Sequence, residues 1–521
     1  MPQWRRVAQA TDIKEDEPLV IELDEDESVL LTRVEGRVVA CGNTCPHYGG
    51  PLGDGVLRGG RVVCPYHNTT FHVASGELDR TPAIDDLPTY EVKEEDGGVF
   101  LGERTDPQIA MPTGSDDREV LIVGAGAAGA ICAETLRKEG FAGRITIVTS
   151  DSEGPYDRPM LSKGLLSGDA PAKYLPLRPN SFYESLGITV VTNTEITSVD
   201  TAAKEVETSG GERLRGDFIV LATGGVPRTL DIPGAELEGV FTLRSHTDAE
   251  AIANACHDRG RAAVIGASFI GMEVAAQLRQ RGLEISVIEP EPQPMHAALG
   301  SDIGAWLRSV HEAEGVKFHL GHKPGSITGE TRVEGVLLDD GSTIDADLVV
   351  MGVGVEPRVD YLAQSDLIDG DTTKGVRVNE RLATSVDGIY AAGDIAVYPG
   401  WEGEYRVEHW VHAQEQGRYV ARAILGDTAP YRRVPFFWSR QYETGIKYVG
   451  FPEKYDHIQY DGVAGSGEFI AGFFVAERLI GAAAMGKAYK FAKVAELLEQ
   501  GERLDRQGFL GIRDAPKNDH L

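Results

Sequence analysis

Twice in this chain a short apolar strand runs through a glycine-rich turn straight into a helix, and this doubling constrains the fold more than any other feature. The first unit is a strand over 119–123, the turn Gly124-Ala-Gly126-Ala-Ala-Gly129 and a helix over 127–139, with a strand over 144–149 after it. The second repeats the plan over 262–281 around Gly266-Ala-Ser268-Phe269-Ile-Gly271, with a strand over 284–288 after it. In such a turn the first glycine permits the sharp reversal. The second lets the backbone approach a phosphate closely, and the third lets helix lie against strand. Parallel strands need helices on both faces, so two units predict two doubly wound α/β nucleotide-binding domains. Ser268 stands where the middle glycine of the second turn would be, which narrows the approach without abolishing it. Asp151 and Glu289 close the strands that follow the two units. A carboxylate there can hold ribose hydroxyls. At Glu289, flanked by Pro290 and Glu291 rather than arginine, it favours NADH over the 2′-phosphate of NADPH.

At 521 residues the chain exceeds what one core supports. Residues 1–104 carry short alternating runs, such as 28–34, broken by glycine and proline, and predict a small all-β domain. The polar, turn-rich stretch 105–117 reads as a linker long enough for that domain to swing. Helical spacing returns at 488–500, and 511–521 reads as a loose tail. The net charge of −30 argues against nucleic acid and anionic membranes as partners. No apolar run is long enough to span a bilayer. Met1-Pro-Gln-Trp-Arg-Arg leads into acidic sequence rather than a signal core, and five cysteines are too few for a disulfide framework. A cytoplasmic protein is expected. Its acidity serves solubility or a basic docking partner. Residues 1–104 hold 20 acidic against 10 basic residues, so bulk charge is expected to push this domain away from the remainder, which is acidic too.

Cys45-Pro-His47 and Cys64-Pro-Tyr-His67 form two matched ligand loops, with glycines and prolines (Gly49, Gly50, Pro51, Pro65) suited to tight turns. Two thiolates on one iron and two neutral imidazoles on the other leave a 2Fe–2S cluster less negative than four thiolates would. Zinc also takes two cysteines and two histidines, but this spacing departs from the finger pattern. The segment resembles Rieske ferredoxins and oxygenase-type Rieske domains. Rieske domains of respiratory complexes carry an extra disulfide-bonded cysteine in each loop; here Gly50 and Tyr66 occupy those neighbourhoods. Cys41, Cys132 and Cys256 read as packing residues.

Further motifs surround the two glycine turns. They are Leu221-Ala-Thr223-Gly224-Gly, Gly388-Ile-Tyr-Ala-Ala-Gly393-Asp394 and Pro155-Tyr-Asp-Arg158-Pro-Met-Leu-Ser-Lys163. In this order they resemble the ferredoxin reductase and apoptosis-inducing factor family over 118–510, most closely its Rieske-containing members. The resemblance implies a FAD-binding domain in two parts, 118–237 and 357–433. An NAD-binding domain, 238–356, lies between them, and an α+β interface domain, 434–510, follows. It implies FAD contacts from Arg158, Arg244 and Asp394 and from the backbone of Trp410, and a nicotinamide contact at Gly354. Lys163 beside the flavin, Glu273 paired with it, and Trp438 are the implied residues of the chemical step. The implied activity passes electrons from NADH through FAD to the Rieske cluster and on to an external one-electron acceptor such as a ferredoxin or an oxygenase. A slowly turning redox-sensing flavoprotein is the alternative. A disulfide reductase or peroxidase is disfavoured, because no Cys-x-x-Cys or peroxidatic cysteine stands near either nucleotide motif. Oligomeric state is not legible.

Overall fold

The computed structural model describes residues 4–24, 27–168, 172–256, 260–368, 370–400, 403–451 and 454–513. Most of the tail read at 511–521 lies outside the described residues; before it the chain closes in a helix, Arg506–Gly511.

The front of the chain is all β. A six-stranded antiparallel sheet has Arg37–Gly42 and Thr89–Glu95 at its centre, with Ser28–Val34 and Gly98–Thr105 each next to an edge strand. Four shorter strands, Val56–Arg58, Arg61–Val63, Thr70–His72 and Leu78–Arg80, form a second sheet. Leu52, Val62 and Phe71 are buried beneath the two cysteine loops and fix their base. Thr105 completes a strand, so the linker begins one residue later than the sequence suggests. It does not hang free: Ile109 packs on the core of the first α/β unit.

Glu119–Val123 is apolar and buried after its first residue because its sheet is parallel and covered on both faces. Val120, Leu121, Ile122 and Val123 are all buried, each worth about 2 kcal/mol. The order in space is Ile188–Val191, Arg144–Val148, Glu119–Val123, Phe218–Leu221, Ile389–Ala391. The second parallel sheet runs Val240–Thr242, Leu348–Met351, Arg261–Ile265, Glu284–Glu289, Lys317–Leu320. The last large sheet is five-stranded and antiparallel, from Phe436–Gln441 to His457–Gly462, with the helix Ala488–Glu499 packed on it. No helix among the described residues is long and apolar enough to cross a membrane.

The front domain is docked on the rest of the chain, and the contact is charged. Arg178 pairs with Asp85 at 2.6 Å, Lys138 with Asp86 at 2.6 Å and Arg58 with Glu496 at 2.9 Å. Arg433 reaches Asp79 at 3.2 Å and Glu415 at 3.0 Å, and Arg80 pairs with Glu499. The Thr81 amide and hydroxyl donate to Glu415 at 2.8 and 2.9 Å, and Arg418 donates to the carbonyls of Asp79 and Leu78 at 2.7 and 2.8 Å. The expectation of repulsion between two acidic halves is therefore corrected. Net charge describes the far field, whereas at contact distance each acidic group of this segment faces a base.

Candidate active site

The two α/β units and the last sheet enclose a cavity of about 860 Å³, within the range of cofactor sites. Gly124 has φ +112°, and a Cβ there would lie 2.2 Å from the Ala222 carbonyl oxygen. A Cβ on Gly129 would lie 1.9 Å from the Gly124 carbonyl oxygen, so the helix could not sit on its strand. Gly126 differs: its Cβ would meet only Arg158 Nε, at 4.0 Å, leaving the space a pyrophosphate needs. The helix Ala127–Lys138 in turn crosses Trp410–Ile424 closely, because Gly417 lets their backbones touch. This crossing aims the uncapped start of the second helix, at Trp410, into the same cavity.

Charged pairs line the walls. Arg158 donates to Asp151 at 2.7 Å and to the Arg244 carbonyl at 2.7 Å, and Arg244 pairs with Asp394 at 2.7 Å. Thr223 donates to the Arg358 carbonyl at 2.6 Å, holding Gly224 (φ +69°) and its loop beside Gly393. Lys163 sits in a wide helical turn, Leu161–Leu165, and meets Glu273 at 3.0 Å. Glu273 is buried, and its carboxylate is saturated: Oε2 also accepts from the Ser162 hydroxyl at 2.5 Å, and Oε1 from Ser439 at 2.8 Å. Neither serine was legible in the sequence. Ser439 follows Trp438, so one strand carries both the aromatic ring and the clamp on Glu273.

The second turn repeats the geometry of the first. Gly266 has φ +100°, and a Cβ on Gly271 would lie 2.0 Å from the Gly266 carbonyl oxygen. Ser268 turns its hydroxyl away to the Gly352 carbonyl at 3.0 Å, which keeps the approach open. Ser268, Phe269 and Gly354 line the cavity; Gly266, Gly271 and Glu289 stand behind it. Glu289 ends its strand and accepts from the Ala267 amide at 2.6 Å, so it braces the turn.

The two cysteine loops bring their cysteines and histidines together. His47 Nδ1 and His67 Nδ1 lie 3.1 Å apart, a spacing two nitrogens on one metal ion can adopt. Burial pushes the His47 imidazole down to about 4 and that of His67 to about 2, so both stay neutral, the ligating form. Cys45 and Cys64 are buried beside each other, and the Tyr66 and His67 amides point at the Cys64 sulfur. Gly50 cannot carry a side chain: its Cβ would lie 2.8 Å from Cys64 Sγ and 3.0 Å from the Tyr66 ring. This loop has no room for the additional cysteine of respiratory Rieske domains. The His67 and His47 rings lie 4.5 and 5.6 Å from Trp438, itself part of the cavity wall.

Fold and site together define a flavin- and nicotinamide-dependent oxidoreductase with an iron–sulfur domain docked at its cofactor cavity. Residues 118–417 match the pyridine nucleotide-disulphide oxidoreductase family, residues 3–91 the Rieske [2Fe-2S] domain and residues 436–511 the reductase C-terminal domain, and the chain belongs to this family. It is 36% identical to human apoptosis-inducing factor 3 over 92% of its own length and 81% of that protein. It is 36% identical to rhodocoxin reductase of Rhodococcus erythropolis over 71% of this chain and 86% of that one. Among solved structures, the putidaredoxin reductase–putidaredoxin complex matches with TM-score 0.72 and 29% identity, over 77% of this chain and 97% of the other. FAD, NADH and a 2Fe–2S cluster are its cofactors. The disulphide chemistry in the family's name has no counterpart at this site. Cys132 is buried in the helix core, where its thiol is pushed well up, Cys256 caps a helix end, and no described cysteine lines the cavity.

Proposed function

We propose that the chain is an NADH-dependent reductase that serves its own Rieske domain first and an external one-electron protein acceptor, a ferredoxin or an oxygenase, second. One observation carries this reading: the cluster histidines stand against Trp438, which walls the cavity. FAD takes an electron pair from NADH and the 2Fe–2S cluster carries electrons singly, so the pair supplies the two-to-one conversion such an acceptor needs. In this reading the FAD domain is 118–237 with 357–433, the NAD domain 238–356 and the interface domain 434–510. Gly124, Gly126 and Gly129 cradle the FAD pyrophosphate, and Asp151 with Arg158 takes its ribose end. Arg244 and Asp394 hold the polar chain between. The free amides at Trp410 would suit the electron-rich edge of a bound flavin. Lys163, held by Glu273, places a positive charge where the ring system becomes anionic. Ser162 and Ser439 keep Glu273 from turning away. Cys45, Cys64, His47 and His67 ligate the cluster. An anaerobic NADH titration followed optically and by EPR tests the reading. It expects flavin and cluster to be reduced together in stoichiometric proportion, and a cluster left oxidised while the flavin bleaches would sink it.

The nicotinamide nucleotide is read by Glu289. Replacing it with alanine should narrow the preference for NADH over NADPH by about 1–3 kcal/mol, through loss of a ribose hydrogen bond and of a repulsion. Because Glu289 also braces the Ala267 amide, KM should rise for both nucleotides. Steady-state kinetics with each nucleotide decide the point. An unchanged ratio of specificity constants would assign ribose selection to another residue.

A further inference from the structure

Each of the two ligand loops is pinned to the reductase by one hydrogen bond, and the two bonds go to different segments. In the first loop the Tyr48 hydroxyl donates to Asp157 Oδ2 at 2.8 Å. In the second, the Pro65 carbonyl accepts from Lys447, on the strand beside Trp438's own. Asp157 belongs to the stretch that also carries Arg158 and Lys163, so the first bond ties the His47 loop to the lysine side of the cavity. Asp157 is half-buried, and its other oxygen, Oδ1, is buried without a hydrogen-bond partner. Tyr48 is its only side-chain hydrogen-bond partner among the described residues, while Lys163 acts on it through charge alone. Tyr48 also packs against His47, with ring centroids 3.9 Å apart and the rings tilted by 32°. A shift of this tyrosine therefore moves one of the two histidine rings that face Trp438.

We infer that Tyr48 and Asp157 are positioning residues for electron transfer within the chain: their hydrogen bond holds the His47 edge at its distance from Trp438. The inference rests on the proposed internal route. Tunnelling rates fall exponentially with distance, so a loop that drifts outward slows transfer without changing its driving force. The bond is separable from domain docking as a whole. That is secured elsewhere, by Asp79, Arg80, Thr81, Asp85 and Asp86 against Glu415, Arg433, Glu499, Arg178 and Lys138. Tyr48→Phe removes the hydroxyl and keeps the ring on His47.

The test is stopped-flow mixing of the full-length holoenzyme with NADH, following flavin and cluster bleaching separately. Tyr48→Phe and Asp157→Ala should each slow cluster reduction by about fivefold. In Tyr48→Phe, which keeps the Asp157 charge in place, the flavin reduction rate and the cluster's midpoint potential should stay unchanged. Asp157→Asn keeps an oxygen acceptor for the tyrosine and should restore the rate to within about twofold. The double variant Tyr48→Phe/Asp157→Ala should be no slower than either single one, because both break the same bond. If both single variants matched the parent chain, the inference would fail while the internal route stood. In Tyr48→Phe a slowing matched by a shift in midpoint potential would also overturn it, since driving force would then be the cause. If the parent chain itself reduced its cluster in proportion to protein concentration, the internal route would fail and take the inference with it.

Discussion

Replacing His67 with cysteine should lower the midpoint potential of the cluster by on the order of 200 mV. In the proposed ligand set the two Nδ1 atoms lie 3.1 Å apart, so both imidazoles can address one metal ion, and burial keeps both uncharged. A thiolate in place of one imidazole adds a full negative charge at that ion and makes an added electron less welcome. Clusters with two imidazoles sit several hundred millivolts above those with four thiolates, and one exchange covers part of that gap. For a single electron about 59 mV is a tenfold change in equilibrium constant, so the shift amounts to roughly three orders of magnitude against reduction. Turnover with an external acceptor should fall accordingly, while NADH still bleaches the flavin. His47→Cys should act in the same direction, since it would ligate the same ion. Protein-film voltammetry measures the potential directly. A potential that stayed put or rose in either variant would remove that histidine from the ligand set.

The features legible in the sequence were those whose chemistry is local. A glycine turn must join its own strand to its own helix, so Gly124, Gly126 and Gly129 announce themselves by spacing, and so do the two Cys/His loops. The pairing of Lys163 with Glu273, 110 positions apart and 3.0 Å distant, followed only from resemblance to a family. What stayed hidden joins parts of the chain with no common period. Ser439 reaches Glu273 across 166 positions, Tyr48 reaches Asp157 across 109 and Thr81 reaches Glu415 across 334. Serine, threonine and tyrosine in such roles look like ordinary surface residues until the fold brings their partners. Charge failed for a related reason. A count over 1–104 gives the sign of the distant field, but docking is decided by which side chains meet. There Asp79, Asp85 and Asp86 face Arg433, Arg178 and Lys138.

That difference between net and local charge has an experimental consequence of its own. Cutting the folded chain once within 106–117, through an inserted protease site, should leave the two pieces together at low salt and progressively separate them as salt rises. Repulsion between two acidic bodies would give the opposite trend, because screening would then favour association. The ion pairs at the interface decide the sign. Several are more than half shielded from solvent: the Arg178 side chain retains 14% of its exposure, and those of Arg80 and Glu499 retain 9% and 17%. Screening weakens partly buried pairs less than exposed ones, so the fall in affinity with salt should be gradual rather than abrupt. Glu415 is the residue on which most depends, since it is buried and accepts from both Thr81 and Arg433. Glu415→Ala in the cut chain should cost about 3 kcal/mol of association, about a hundredfold in Kd. In the uncut chain the same substitution should matter far less, because the tether keeps the local concentration of the front domain high. Sedimentation velocity on the cut pair, with and without the substitution and across a salt series, measures both effects. Tighter association at high salt would show that bulk charge outweighs the pairs. Equal affinity in the cut parent and cut variant would show that Glu415 is a bystander at the interface.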